Sequence, residues 1–87
     1  MRENFIEAFL VNRIKNLGGL CLKQEWLGTR GAPDRLIILP GKLLMVELKA
    51  PGVKPEPHQL RMHERLRALC VQVEVIDSVE RVEELFR

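Results

Sequence analysis

The fold of this chain is decided by residues 31–49, which read GAPDRLIILPGKLLMVELK. Two short apolar runs, Leu36–Leu39 and Leu43–Val46, lie on either side of Pro40 and Gly41. Short apolar runs separated by a glycine-containing turn are typical of a β-hairpin. Because every position in both runs is apolar, both faces of each strand are apolar. The sequence therefore predicts a hairpin within a sheet that is covered on both sides.

The polar residues of this stretch stand at the outer ends of the two predicted strands. If the turn contains two residues, Leu39 pairs with Lys42 and Asp34 lies opposite Glu47. Directly opposed residues project from the same face, with Cβ atoms about 4.5–5.5 Å apart. Lys49 follows Glu47 by two positions and shares that face. A turn longer by one residue would move Asp34 to a diagonal position, near Glu47 but less well aimed.

Two carboxylates and an ammonium group that converge at one end of a sheet have the chemistry of a metal site. Hard oxygen ligands suit Mg²⁺ or Mn²⁺, and Mg²⁺ is commonly held by one or two carboxylates together with phosphate oxygens and water. Lys49 beside such an ion can orient the attacking water, help to deprotonate it or offset charge on the scissile phosphate. The alternative is structural: Asp34 caps a turn, and Glu47 forms an ordinary ion pair with Lys49.

The order Pro33-Asp34, then Glu47-Leu48-Lys49, resembles the signature of the PD-(D/E)xK nucleases. The wider pattern is similar to the VRR-NUC nucleases, in particular to the small stand-alone form found in phages. The matching pieces extend over nearly the whole chain; they are Ile6-Glu7, Gly18-Gly19, Gly31–Arg35, Glu47–Gly52 and His58-Gln59. The resemblance implies an α/β fold of the restriction-endonuclease type, a mixed β-sheet flanked by helices in the order α-β-β-β-α-β-α.

The resemblance also implies which groups carry the reaction. Asp34, Glu47 and the carbonyl of Leu48 are the expected ligands of a Mg²⁺ or Mn²⁺ ion. Lys49 is expected to position the nucleophilic water. With these groups in place, hydrolysis of a phosphodiester through an activated water needs little more.

Two further polar residues take roles from the resemblance. The family's acid in the first helix falls on Glu7, which supports the metal directly or through water; Glu3 is a less favoured alternative. The alternative without a functional role is that Glu7 is a solvated residue at the margin of the apolar stripe of the helix. The family's downstream glutamine falls on Gln59, whose amide is expected to orient Lys49 or the water. His58 and His63 are not expected to ligate a transition metal, because the site is rich in oxygen.

Basic residues near these positions predict a local path for DNA phosphates. The formal charge is only +2, so composition by itself does not indicate a nucleic-acid binder. The candidate contacts are Lys23, Arg30, Arg35, Lys54, Arg61, Arg65 and Arg67. A solvated surface is the alternative for the loop lysine and the helical arginines. Trp26 is predicted to lie in the core or in a dimer interface, with stacking on a DNA base as the alternative.

Hydrophobic periodicity predicts the helices and strands around the hairpin. Apolar residues at three- and four-residue spacing, Phe5 among them, predict a helix over residues 3–17. A strand follows at Leu20–Lys23. Pro57 suits the first turn of a second helix that runs to about Leu69.

The C-terminal part of the chain predicts one more strand and one more helix. Val71–Ile76 alternates as a strand with one polar face, which suggests a position at a sheet edge or under a partner chain. Asp77 and Ser78 are expected to cap a short helix, with Asp77 and Glu80 forming a capping box.

Length and composition indicate one small globular domain over residues 1–87. The chain is 46% hydrophobic and 30% charged, an ordinary composition for a folded protein. No apolar run approaches the roughly 20 residues that span a bilayer, and the amino terminus does not resemble a signal peptide. A cytoplasmic protein is expected, in a bacterial host if a phage encodes it. Cys21 and Cys70 are predicted to be buried free thiols.

The function that these expectations define is a metal-dependent endonuclease that hydrolyses DNA phosphodiester bonds. The resemblance implies structure-selective cutting, with four-way (Holliday) junctions as the leading substrate. Symmetric cleavage of a junction needs two active sites, so a homodimer is expected, with no membrane partner and no organic cofactor. Two alternatives stay open: a nuclease for flaps, nicks or ordinary duplex DNA, and a catalytically silent DNA-binding module.

Overall fold

A computed structural model describes residues 2–87 of the chain. The elements, in chain order, are α1 Glu3–Asn16, β1 Leu20–Lys23, β2 Arg35–Leu39, β3 Lys42–Leu48, α2 Pro57–Ala68, β4 Val73–Ile76 and α3 Val79–Leu85. The four strands form one sheet in the order β1-β2-β3-β4, antiparallel except for the parallel pair β3 and β4. The predicted α/β fold with a mixed sheet flanked by helices is confirmed. Within the described part of the chain, no helix is long and apolar enough to cross a membrane.

The β2–β3 hairpin has the two-residue turn on which the position of the acidic residues depends. Leu39 pairs with Lys42, and the ladder keeps this register along both strands. Gly41 has a φ of 70°, a conformation that glycine adopts without steric cost. Proline followed by such a glycine suits a type II turn. The next pair in the register is Asp34 and Glu47, as the sequence predicted.

One face of the sheet is buried under α1 and α3, and the hydrophobic core lies there. Helix α1 contributes Ile6, Leu10 and Ile14, which are fully buried. The rest of the core comes from alternate strand positions and from α3: Ile37, Leu44, Val46, Leu48, Ile76, Val82 and Phe86. Phe5 departs from the predicted stripe, with 57% of its surface exposed. It precedes Ile6 by one residue and therefore points about 100° away from the buried face.

The opposite face of the sheet is covered only in part. Helix α2 packs over the β3–β4 half, where His63 is buried. Leu20 and Leu22 on β1 and Leu43 at the start of β3 lie on this face and are 54%, 43% and 54% exposed. We call these three leucines the open sheet face. The predicted coverage of both sides is wrong here, because one helix, about 10 Å wide, cannot cover four strands spaced about 4.8 Å apart.

Strand β4 lies at the edge of the sheet, which confirms the edge position that its polar face suggested. Ser78 caps the helix that follows, and its hydroxyl accepts a hydrogen bond from the Arg81 amide at 3.1 Å. The predicted capping box of Asp77 and Glu80 is wrong. The Asp77 carboxylate instead accepts a hydrogen bond from the Gly52 amide at 3.3 Å, which ties the loop after β3 to the end of β4.

The two cysteines are less buried than predicted, because Cys70 is exposed and Cys21 is half-buried. Cys70 directly follows the end of α2 with a φ of 68°. Its amide donates to the Arg67 carbonyl at 2.9 Å, and the Val71 amide donates to the Leu66 carbonyl at 2.9 Å. This is the Schellman ending of a helix, whose left-handed position usually belongs to glycine. The thiol therefore projects away from the core at a helix end.

Replacement of Cys70 by glycine should stabilise the protein. A non-glycine residue in the left-handed region costs roughly 1–2 kcal/mol, part of which glycine returns through its larger entropy in the unfolded chain. We expect Cys70→Gly to raise the free energy of unfolding by up to about 1 kcal/mol in urea titrations at unchanged slope. Ala68→Gly, two residues earlier and within the helix, should lower it. An unchanged or lower midpoint for Cys70→Gly would contradict the left-handed conformation.

Candidate active site

Asp34 and Glu47 meet at the open end of the hairpin. Asp34 directly precedes β2, and its Oδ2 accepts a hydrogen bond from the Leu48 amide at 2.8 Å. It forms the next residue pair of the hairpin register with Glu47, and its charge raises the pKa of Glu47. Glu47 lies on the face that α2 covers and is 2% exposed. The two carboxyl groups are therefore adjacent, as the hairpin register predicted.

The electrostatics of Glu47 are unfavourable without a cation. Burial, and after it the neighbouring Asp34, raise the pKa of Glu47 from 4.5 to about 8. Lys49 opposes the shift, with its Nζ 3.9 Å from Oε2 of Glu47. Glu3, at the start of α1, adds a smaller contribution that raises the pKa of Glu47 further. Two carboxylates beside one ammonium group leave negative charge that a divalent cation would offset.

Gln59 connects Glu47 to the amino-terminal end of α2. Its side-chain oxygen accepts a hydrogen bond from the Glu56 amide at 2.8 Å, which is half of a capping box. Because the oxygen is used in this way, the amide nitrogen points to the site and donates to Oε2 of Glu47 at 3.3 Å. The contact is with the carboxylate, whereas the sequence predicted a contact with Lys49 or water. Gln59 therefore acts by holding Glu47.

Glu7 is paired with Arg35 and is not in contact with the two central carboxylates. Its Oε2 accepts hydrogen bonds from Nη2 and Nε of Arg35 at 3.0 and 3.3 Å. Arg35 also donates from Nη1 to the Cys21 carbonyl at 3.1 Å and is 8% exposed. This buried guanidinium is not placed to meet a DNA phosphate, so the position expected for Arg35 is corrected. Its role is to join α1 to β1 and to hold Glu7.

An open cleft of about 740 Å³ leads to Asp34 between α1 and the loop that connects β1 to β2. Gln24 fixes this loop near its base, because its amide and side chain donate to the carbonyls of Asp34 and Pro33 at 3.1 and 3.0 Å. Gly31 touches α2 so closely that a Cβ atom there would lie 2.6 Å from the His58 carbonyl oxygen. The polar and aromatic lining includes Glu3, Glu7, Lys23, Trp26, Thr29 and Asp34.

Some of the residues predicted to contact DNA have exposed side chains, and some form hydrogen bonds within the protein. Trp26 lines the cleft and is not a member of the hydrophobic core, so the core position expected for it is corrected. A place in a dimer interface and stacking on a DNA base both stay predictions. Arg67 donates to the Val73 carbonyl at 2.7 and 3.2 Å and so fixes the end of α2 to β4. The exposed residues among the predicted contacts are Lys23, Arg30, Lys54, Arg61, Arg65 and Arg67.

His63 is a site residue that the sequence reasoning missed. It lies on α2 one turn after Gln59, is fully buried, and has Nε2 at 3.7 Å from Oε1 of Glu47. Burial, followed by the nearby Arg67 and Lys49, lowers the pKa of His63. The available signal was the four-residue spacing of Gln59 and His63, which places both side chains on one face of a helix.

The oxygen atoms of this site fit a hard divalent cation that takes its remaining ligands from water and substrate. Within residues 2–87, no three His, Cys, Asp or Glu side chains are grouped so as to hold an ion by themselves. The site offers two adjacent carboxyl groups and the peptide of Leu48, and Asp34 lines the open cleft. Mg²⁺ is usually bound by one or two carboxylates while substrate oxygens and water complete its shell.

A mixed sheet whose hairpin joins Asp34 to Glu47 and Lys49 is the fold and site of a PD-(D/E)xK-type nuclease. No family model matches the sequence. A phage protein named "Putative nuclease p44", from Acyrthosiphon pisum secondary endosymbiont phage 1, is 53% identical over 79 residues, which are 90% of this chain and 85% of that protein. A solved structure described as "VRR_NUC domain" superposes with a TM-score of 0.89 at 42% identity, over 95% of this chain and 91% of its own. The chain belongs to the VRR-NUC family of nucleases.

The raised pKa of Glu47 should make the stability of the metal-free protein fall with pH. Its value of about 8 in the folded protein exceeds the ordinary 4.5, so the folded protein holds a proton that the unfolded chain releases between these two values. We therefore expect the free energy of unfolding in a chelator to decrease as the pH rises from 4.5 to 8. Glu47→Gln should reduce this slope, and Glu83→Gln, at an exposed position, should keep it. Equal slopes would contradict the assignment.

Proposed function

We propose that this nuclease is a divalent-metal-dependent DNA endonuclease that selects branched DNA, with four-way junctions as its principal substrate. The observation that carries the proposal is the hairpin register that sets Asp34 opposite the buried Glu47, with Nζ of Lys49 3.9 Å from Oε2 of Glu47. Such a site costs stability in the isolated protein and is useful to a protein that binds a cation there. The VRR-NUC membership supports nuclease chemistry at this site.

Asp34, Glu47 and the Leu48 carbonyl would hold a Mg²⁺ or Mn²⁺ ion. When bound, the cation supplies Lewis acidity for the attack of water on the scissile phosphate. The peptide of Leu48 is fixed in place because its amide donates to Asp34. Gln59 keeps the Glu47 carboxylate in one orientation through its hydrogen bond to Oε2.

Lys49 places a positive charge beside the reacting groups. Its side chain is 15% exposed and lies next to Glu47, so water has limited access to the ammonium group. In our proposal this ammonium group orients the nucleophilic water and offsets charge that develops on the phosphate. Glu7 borders the same cleft but has one oxygen paired with Arg35, so we assign it an indirect supporting role.

DNA would approach through the cleft between α1 and the β1–β2 loop. Lys23 and Trp26 line this cleft and could meet a phosphate and an unpaired base, respectively. Arg30 is exposed in the same loop. Lys54 and the α2 residues Arg61 and Arg65 are also exposed and would meet further phosphates of the DNA.

A homodimer accounts for the open sheet face and for symmetric cleavage of a junction. Leu20, Leu22 and Leu43 form a contiguous apolar surface that the chain itself does not cover. Contiguous apolar surface of this kind marks an interaction site more often than a bare monomer surface. A two-fold arrangement through this face would place two active sites at a fixed separation.

Cleavage assays on labelled four-way junction, flap, nicked and linear duplex DNA test the activity, with Mg²⁺, Mn²⁺ and Ca²⁺ compared. We expect metal-dependent cleavage with a preference for the junction. Asp34→Asn and Lys49→Ala should each reduce cleavage about 100-fold or more, because each removes a group that acts on the reacting atoms. Lys15→Ala, an exposed lysine on α1, is the matched control and should cut normally.

The same assays separate the alternatives. Preference for flaps, nicks or linear duplex would replace the junction assignment and keep the metal site. Equal DNA binding by wild type and Asp34→Asn, with no cleavage in any metal, would indicate the silent DNA-binding module and refute the enzyme.

Substitution in the open sheet face should produce monomers. Sedimentation of the wild type should give twice the 10.1 kDa mass of one chain at micromolar concentration. Leu22→Glu or Leu43→Glu should shift it to a single chain, because each buries a charge in an apolar contact. Leu17→Glu introduces the same change on the α1 side of the sheet and should leave the dimer intact. A monomeric wild type would refute the dimer without touching the metal site.

A further inference from the structure

We propose that His63 is a positioning residue that fixes the Glu47 carboxylate for metal binding, through a hydrogen bond from its Nε2–H to Oε1 of Glu47. The inference deepens the proposed function and rests on it. It assigns to Glu47 a further partner, beyond Gln59 and Lys49. It also explains why α2 buries a polar ring against the sheet.

The geometry shows three polar atoms buried together without partners. Nδ1 and Nε2 of His63 and Oε1 of Glu47 have no hydrogen-bond partner within the described residues 2–87. His63 has no exposed surface, and its Nε2 lies 3.7 Å from Oε1 of Glu47. No water fits between atoms this close, so the direct contact is the available one.

Burial of these atoms unpaired would be costly. A buried donor or acceptor without a partner costs about 1–3 kcal/mol, so a histidine that served only to fill space would be a poor choice at this position. A hydrogen bond between nitrogen and oxygen is about 2.9 Å long. An approach of less than 1 Å between His63 and Glu47 therefore satisfies one atom on each side.

The two contacts from α2 are complementary. Gln59 donates to Oε2 of Glu47, and His63, one helical turn later, faces Oε1. Two side chains of α2 thus face the two oxygens of the Glu47 carboxylate, and together they fix the plane of that group. Each carboxylate oxygen has a second lone pair, so these contacts leave Glu47 able to bind a cation. Groups that orient a metal ligand in this manner are known to influence metal affinity strongly.

The test compares His63→Leu, which fills similar volume without a donor, with His63→Gln, which keeps an N–H donor of similar reach. Titration calorimetry with Mn²⁺ measures binding directly, and junction cleavage gives a second measure. We expect His63→Leu to weaken Mn²⁺ binding about 10- to 100-fold, and His63→Gln to recover most of the loss. Thermal unfolding should show both variants folded. His63→Met serves as a second apolar variant if the leucine variant does not fold.

Leu66→Ala is the matched control, because Leu66 is a buried residue of α2 close to His63 in sequence. It should lower the unfolding temperature and keep the Mn²⁺ affinity of the wild type. If His63→Leu binds Mn²⁺ as the wild type does, or loses affinity only in proportion to stability as Leu66→Ala does, the positioning role is refuted while the nuclease stands. If the wild type itself neither binds Mn²⁺ nor cuts DNA, the proposed function fails first and the role of His63 fails with it.

Discussion

Burial of one carboxyl group beside a second is the constraint on which the rest of this structure depends. Asp34 and Glu47 lie side by side, and burial of Glu47 makes a second negative charge there costly, which its raised pKa expresses. An arrangement that is unfavourable in the isolated chain persists only where the surroundings hold it. Here the hairpin ladder and the hydrogen bond from Leu48 to Asp34 provide that support.

Helix α2 ties the integrity of the site to the integrity of the fold. Gln59 closes the capping box that starts the helix and, with the other end of the same amide, holds Glu47. The same side chain therefore caps the first turn of the helix and orients the carboxylate. Arg67, near the far end of the same helix, binds the Val73 carbonyl and anchors α2 to the edge strand. The helix is fixed at both ends over the acidic pair.

The two faces of the sheet have different tasks. The α1 and α3 side carries the continuous apolar core and stabilises the chain. The other side carries the acidic pair, the helix that braces it and the open sheet face of leucines. In so small a domain, one covered face supplies most of the stability, and the second is available for chemistry and association. The Glu7–Arg35 pair lies at the border and links α1 to the strands.

The sequence by itself determined the element order, the hairpin and the meeting of Asp34 with Glu47, because the Pro40-Gly41 turn and strand alternation are local rules that set the register. Only the tertiary structure decided which partners the remaining side chains take. Arg35 looked like a phosphate contact and is buried against Glu7; His63 looked incidental and faces Glu47; Cys70 looked buried and ends a helix in the open. Those outcomes depend on how segments distant in the chain pack against one another; the spacing of Gln59 and His63 sets their common helix face, but only the packing sets which residue that face meets.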